Sequence, residues 1–230
     1  MLKNSKELYG HKIAATDGEI GHLKDFYFDD ISWAIRYLVV DTGSWLSGRE
    51  VLLAPHSFGH WDQQAKTLGV NIGKKKIEHS PSIDAHRPVS RQNEEEYCRY
   101  YGWPGYWDAG GVWGAAGYPL VTPPTGPDNL HHHGHNQRDD VHLRSTKAVS
   151  GYRIEARDGT LGSVSGFIID TKTWTIRDLA VEAGHWYAGK EILIAPAKVE
   201  RISYDESKVF VKLSKADIDR TKEHEVVTAA

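Results

Sequence analysis

The chain has a single cysteine, Cys98, in 230 residues. One thiol excludes an intrachain disulfide and any Cys-x-x-Cys redox or metal motif. As a nucleophile it would need a histidine partner that nothing in the sequence marks, so Cys98 reads as a small, half-buried side chain. No apolar run approaches the ~20 residues of a membrane helix. The longest, Tyr37 to Val40, is the size of a strand. The opening residues Met1-Leu2-Lys3-Asn4-Ser5 lack the apolar stretch of a secretory signal. Charge of one sign is missing too: 28 Lys and Arg stand against 31 Asp and Glu, a net charge of −3. A general nucleic-acid binder needs a basic field that this chain does not carry. These absences predict a cytoplasmic protein with no nucleic-acid partner and no transmembrane segment, and leave peripheral attachment to a membrane surface open. No Ser-His-Asp order, phosphate-cradling loop or paired-His helix appears either. Gly43-Ser44-Trp45-Leu46-Ser47-Gly48 is glycine-rich but lacks the Lys and following helix of a nucleotide loop, and reads as a turn.

What the chain does contain is itself, twice. Leu2 to Ile77 returns without a gap as Leu143 to Ile218, at a constant offset of 141 residues. Gly10, Asp17-Gly18, Gly21, Phe26, Asp29, Trp33, Arg36, Trp45, Glu50 and Ala54-Pro55 recur as Gly151, Asp158-Gly159, Gly162, Phe167, Asp170, Trp174, Arg177, Trp186, Glu191 and Ala195-Pro196. What both copies keep points to fold; what differs points to function. The boundaries this predicts are 1–78 for the first repeat, 79–141 for a linker, 142–224 for the second repeat and 225–230 for a frayed tail.

Each repeat reads as short strands. An Asp-Gly pair between β-type runs is a hairpin signal, because glycine accepts positive φ. A long strand follows, Glu19 to Asp29, and Gly21 within it marks a bulge or sharp bend. The third strand runs from Trp33 to Asp41, mirrored by Trp174 to Glu182. The second copy alternates in polarity; the first is apolar on both faces, which predicts that another element covers it. Pro55 and Pro196 end the next strand, since proline cannot donate to a ladder. Two more strands complete the repeat, near Phe58 to Asp62 and Leu68 to Ile72, mirrored by Val199 to Tyr204 and Val209 to Leu213. Ser214, with Asp217 three positions on, predicts a capped terminal helix reaching about His224. The fold class is therefore mainly β: two small antiparallel barrels, with one short helix in the linker and one at the C-terminus.

The linker has its own composition. Ser90 to Glu96 looks like a capped helix start, Tyr97, Tyr100 and Tyr101 share one face, and Gly102 and Pro104 stop the helix. Trp103, Tyr106, Trp107 and Trp113 follow. They either staple the linker onto the barrels or form an exposed anchor for a protein partner, since Trp and Tyr dominate interface hot spots. His131, His132, His133 and His135, with Asp139, Asp140 and His142 behind them, are competent ligands for Zn or Ni, but no strand or helix is expected there to fix their geometry. The bland reading of the histidines is a solvated loop. Arg36 with Glu50, and Arg177 with Glu191, are kept in both copies and read as structural ion pairs or loop anchors rather than catalytic pairs. Asp29 and Asp170 read as turn residues. No catalytic residue and no bound cofactor is expected.

The segments Gly10-His11-Lys12-Ile13, Asp17-Gly18-Glu19-Ile20-Gly21, Phe26-Tyr27-Phe28-Asp29, Trp33 to Val40 and Val51-Leu52-Leu53-Ala54-Pro55 resemble the PRC-barrel domain. So do their second copies, among them Phe167-Ile168-Ile169-Asp170 and Ile192-Leu193-Ile194-Ala195-Pro196. The family includes the cytoplasmic part of the photosynthetic reaction-centre H subunit and a domain of a ribosome-maturation factor. In layout the chain is similar to bacterial proteins with tandem PRC barrels. The resemblance covers both repeats and not the linker. It implies a small β-barrel that acts by contact with other proteins, without catalytic residues. It implies no direct role in photosynthesis or ribosome assembly, because the chain shows neither the H subunit's membrane helix nor the maturation factor's companion domain. The expected function is a non-enzymatic adaptor. The alternatives are a metal-binding protein using the His cluster and an enzyme with a site between the barrels. The duplication further predicts a pseudo-twofold contact between the repeats, with Trp33 to Val40 contributing, and leaves homodimerisation open.

Overall fold

In the computed structural model, residues 1–81, 91–103, 143–184 and 190–218 are described; of 91–93 only the helical backbone is described. The first copy contains β1 (Leu2–Asn4), α1 (Ser5–Leu8), β2 (Lys12–Ala15), β3 (Gly18–Asp29), β4 (Ile35–Asp41), β5 (Glu50–Leu53), β6 (Phe58–Asp62), β7 (Thr67–Val70) and α2 (Lys74–Glu78). Helix α3 (Arg91–Tyr101) follows. The second copy repeats the order: β8 (Leu143–Ser145), α4 (Thr146–Val149), β9 (Arg153–Ala156), β10 (Gly159–Asp170), β11 (Thr175–Ala183), β12 (Glu191–Ile194), β13 (Val199–Ser203) and β14 (Lys208–Val211). A helical turn at 215–218 ends the described chain.

The strands form two seven-stranded sheets of equivalent order, β5-β4-β3-β2-β7-β6 and β12-β11-β10-β9-β14-β13. The antiparallel barrels expected from the sequence need correction on two points. Each sheet is mixed, because β2 pairs in parallel with β7 and β9 with β14. Neither sheet's pairing closes into a barrel. The cause lies at the prolines. Pro55 and Pro196 start three-residue 3-10 turns, Pro55–Ser57 and Pro196–Lys198. Each turn carries the chain from one end strand of the sheet to the other, so the sheet curls while its end strands stay unpaired with each other.

Gly21 and Gly162 sit where the long strand bends. The register of the β2–β3 and β9–β10 pairs slips beside them. A Cβ on either would lie 2.0 Å from a main-chain carbonyl oxygen, that of Asp41 or Glu182. The core of each sheet is drawn from equivalent positions. Ile13, Phe26, Phe28, Leu38, Val40 and Leu68 are buried in one, and Ile154, Phe167, Ile169, Leu179, Val181 and Val209 in the other. Each such side chain contributes about 1.5–3 kcal/mol on burial.

The compact units do not coincide with the repeats. One comprises Leu8–Arg144, the other Met1–Glu7 together with Ser145–Ala230. Strand β1 adds to β10 of the second repeat's sheet, and β8 adds to β3 of the first. Each repeat therefore lends its first strand to the other's sheet. Among the described residues no helix is long and apolar enough to cross a membrane.

Candidate interaction face

Asp17, Asp29, Arg36 and Glu50, kept in both copies, are held in local structure. Asp29 Oδ1 accepts the amides of Ile31 and Ser32 at 3.0 and 2.7 Å, and its carbonyl accepts the amide of Trp33 at 2.7 Å. The same turn recurs at Asp170, which accepts the amide of Lys172 through Oδ1 and that of Trp174 through its carbonyl. Trp33 and Trp174 are held at φ of 57° and 52°, a costly conformation for a bulky side chain that both copies retain. Arg36 and Arg177 reach back to these carboxylates at 3.5 and 3.6 Å. The expected pairing of each arginine with Glu50 or Glu191 is not what forms: Glu50 pairs with Lys24, and Glu191 accepts from Ser165 Oγ at 2.7 Å. An arginine can reach the acid seven residues back across its own turn, whereas the glutamates reach across the intervening strand to residues 24 and 165 of the long strands. Asp17 and Asp158 are used alike, accepting the amides of Lys74 and Lys215 at 2.8 and 3.0 Å.

The copies part company on the outer face of the sheet. In β12 Ile192 and Ile194 are buried while Leu193 between them is 58% exposed. In β5 all three equivalents are buried, and Leu52, the counterpart of Leu193, is 0% exposed. Beside it on β4 stand Tyr37 and Val39, where β11 has Asp178 and Ala180. The expected extra cover of the first copy is supplied by α3. Tyr97 is buried, and its hydroxyl donates to the Pro81 carbonyl at 2.5 Å and sits among Ser80, Arg49 and the Leu52 backbone. Tyr100 donates to the Lys76 carbonyl at 2.7 Å, and Lys76 Nζ donates back to the Tyr101 carbonyl at 3.3 Å. Arg49 donates to the Ile77 and Ser80 carbonyls at 3.1 and 3.0 Å, fixing the end of α2 against which α3 lies. The second copy carries Lys190 and Asp217 where the first has Arg49 and Lys76, so this cradle belongs to the first repeat alone.

Helix α3 ends as its sequence predicts. Gly102 takes φ +73°, and the Trp103 amide donates to the Cys98 carbonyl at 2.9 Å, the Schellman arrangement. That turn lays Trp103 flat on Tyr101, with ring centroids 4.2 Å apart and planes 11° apart. Of the proposed aromatic anchors, Trp103 is thus half-buried on the first repeat's own helix. Tyr106, Trp107 and Trp113 lie outside the described residues, as do His131, His132, His133 and His135. Among the described residues no group of His, Cys, Asp and Glu is placed to hold a metal ion.

Burial of Tyr97 and Tyr101 on α3, and of Tyr27 on β3, has a measurable consequence. It pushes the Tyr101 hydroxyl up to about 12 and that of Tyr97 higher still; burial, with Asp25 and Glu50 nearby, pushes Tyr27 to about 12. These groups keep their protons in the folded chain and release them near 10 when it unfolds. Their contribution to stability is therefore intact below pH of about 10 and is lost as pH rises toward 12. Absorbance at 295 nm should show these three of the 11 tyrosines ionising late, together with unfolding. A non-cooperative titration of all of them near 10 would contradict the packing of α3.

Sequence reasoning missed Arg49, Lys76 and Leu193. The signal was available at the constant offset, where Arg49 corresponds to Lys190, Lys76 to Asp217 and Tyr37 to Asp178. No family model and no curated protein matches the chain.

Proposed function

We propose that the chain is a tandem PRC-type protein that works by contact with a protein partner, not by catalysis, and that the outer face of its second repeat around Leu193 receives the partner. One observation carries the reading. Four charged residues that duplication preserved, Asp17, Asp29, Arg36 and Glu50, are engaged with their copies in turns, helix starts and side-chain pairs. What was not preserved is the cover of one sheet face. The first repeat keeps α3 on that face, and the second leaves Leu193 58% exposed and Asp178 part-exposed, while Ala180, the strand partner of Leu193, is buried. An apolar centre with a polar surround is the composition of a protein interface. The curled sheets with proline-started links, and the duplicated hairpin signature, support the PRC-type assignment.

The test is a photo-crosslinking residue placed at Leu193 or, in a second protein, at Leu52, each irradiated in the native host. Leu193 is expected to yield a discrete crosslinked partner and Leu52 only links within the chain. Equal behaviour of the two positions would remove the reading.

A further inference from the structure

The strand exchange described above is noncovalent, and its seat is shaped for its occupant. We propose that the edge of β10 beside Gly166, and the edge of β3 that takes β8, are acceptor sites for the N-terminal segment of a repeat, and that each accepts this segment from a chain to which it is not covalently joined. The occupant of the β10 site is residues 1–7 of the other half of a severed chain.

Four contacts define that seat. Leu2, Lys3 and Asn4 pair antiparallel with Asp170, Ile169 and Ile168. The Met1 carbonyl accepts the Thr171 amide at 2.9 Å. Ser5 is fully buried, and its Oγ accepts the Phe167 amide at 3.2 Å. Gly166 makes room for Asn4: a Cβ there would stand 2.8 Å from Asn4 Oδ1. The first repeat has Asp25 at the position of Gly166, so the β10 seat is fitted to Asn4 specifically. Ser5 and Phe167 lie 162 residues apart, so no short loop holds the segment in place. The other sheet gains its seventh strand from β8, which pairs with β3.

Two halves that each supply the other's missing strand are joined by two ladders as well as by the connector. Within one chain the connector raises the effective concentration of each segment. Severing the connector removes that advantage but not the seats, and exchange of an identical element between chains is a low-cost route to association.

The experiment uses the full chain with a specific protease site installed after Gly117. After complete cutting, wild-type halves are expected to migrate and fly in native mass spectrometry as one species of the intact mass, stable to dilution. The Gly166→Val variant, cut in the same way, is expected to fall apart at a concentration at least tenfold higher, while its uncut form keeps the wild-type circular dichroism. Asn4→Trp, which adds the bulk from the segment's side, is the second variant should Gly166→Val not fold. Separation of the wild-type halves on cutting overturns the proposal. So does retention of both variants' halves to the same dilution as wild type, since some other contact would then hold them.

Discussion

Alanine at Gly21 is expected to cost more than about 4 kcal/mol, enough to leave most of the chain unfolded or insoluble on expression. The new methyl would lie 2.0 Å from the Asp41 carbonyl oxygen and 2.9 Å from Thr42 Cα, main-chain atoms that cannot rotate away. Relief requires β4 to separate from β3, and that ladder carries the centre of the sheet. Gly162→Ala is expected to do the same to the other sheet, where the Glu182 carbonyl stands at the same 2.0 Å. Gly10→Ala is the control. Its φ is +79° but nothing lies within 4 Å of the added Cβ, so only the backbone term applies, about 1–2 kcal/mol. Denaturant unfolding of the three variants separates close approach from conformational preference. Similar losses at Gly10 and Gly21 would show that contact with Asp41 is not what selects glycine.

The second large effect separates two residues that the sequence presents as equals. Arg36→Ala is expected to cost about 3 kcal/mol, because it removes the charge partner of a largely buried carboxylate that keeps only its turn amides and Ser32. The Arg36 and Asp29 side chains are 5% and 13% exposed. Arg177→Ala is expected to cost below about 1 kcal/mol, since its side chain is 57% exposed and its pairing is screened by water. For a chain of this size the first loss lowers the thermal midpoint by roughly 6–12 °C and the second by a few degrees at most. Equal shifts would mean that the two turns are held alike despite their different burial.

Much of this was open to reading in the residues themselves. The Asp-Gly hairpins, the bend at Gly21, the proline stops and the end of α3 at Gly102 are set by φ preferences and missing donors, which act locally. The Ser214–Asp217 cap formed as expected, with the Ser214 amide donating to Asp217 Oδ2 at 2.9 Å. The apolar excess of Trp33 to Val40 foretold a covering element, found in α3. Strands β1 and β8 were not legible, because three residues show no alternation and the partner strand lies in the other copy. The repeat nevertheless begins at Leu2 and Leu143, ahead of the first hairpin, and that early start was the available clue. Of the two structural roles open to Arg36, an ion pair with Glu50 or a loop anchor, its contacts with Asp29 and Ser32 are those of a loop anchor. Two copies share spacing, but spacing along the chain does not say which neighbouring strand a side chain faces.

Two equivalent positions differ sharply in burial: Leu52 is covered by the chain itself, and Leu193 is 58% exposed. Thermal unfolding of Leu52→Asp and Leu193→Asp tests this difference most directly. A buried carboxylate under α3 is expected to cost several kcal/mol, or to be avoided only by release of the helix, whereas aspartate at Leu193 stays hydrated. The prediction is a midpoint lowered by more than about 10 °C in Leu52→Asp and within a few degrees of wild type in Leu193→Asp. A Leu193→Asp protein as unstable as its Leu52 counterpart would show that the second face is already covered, and would contradict the account.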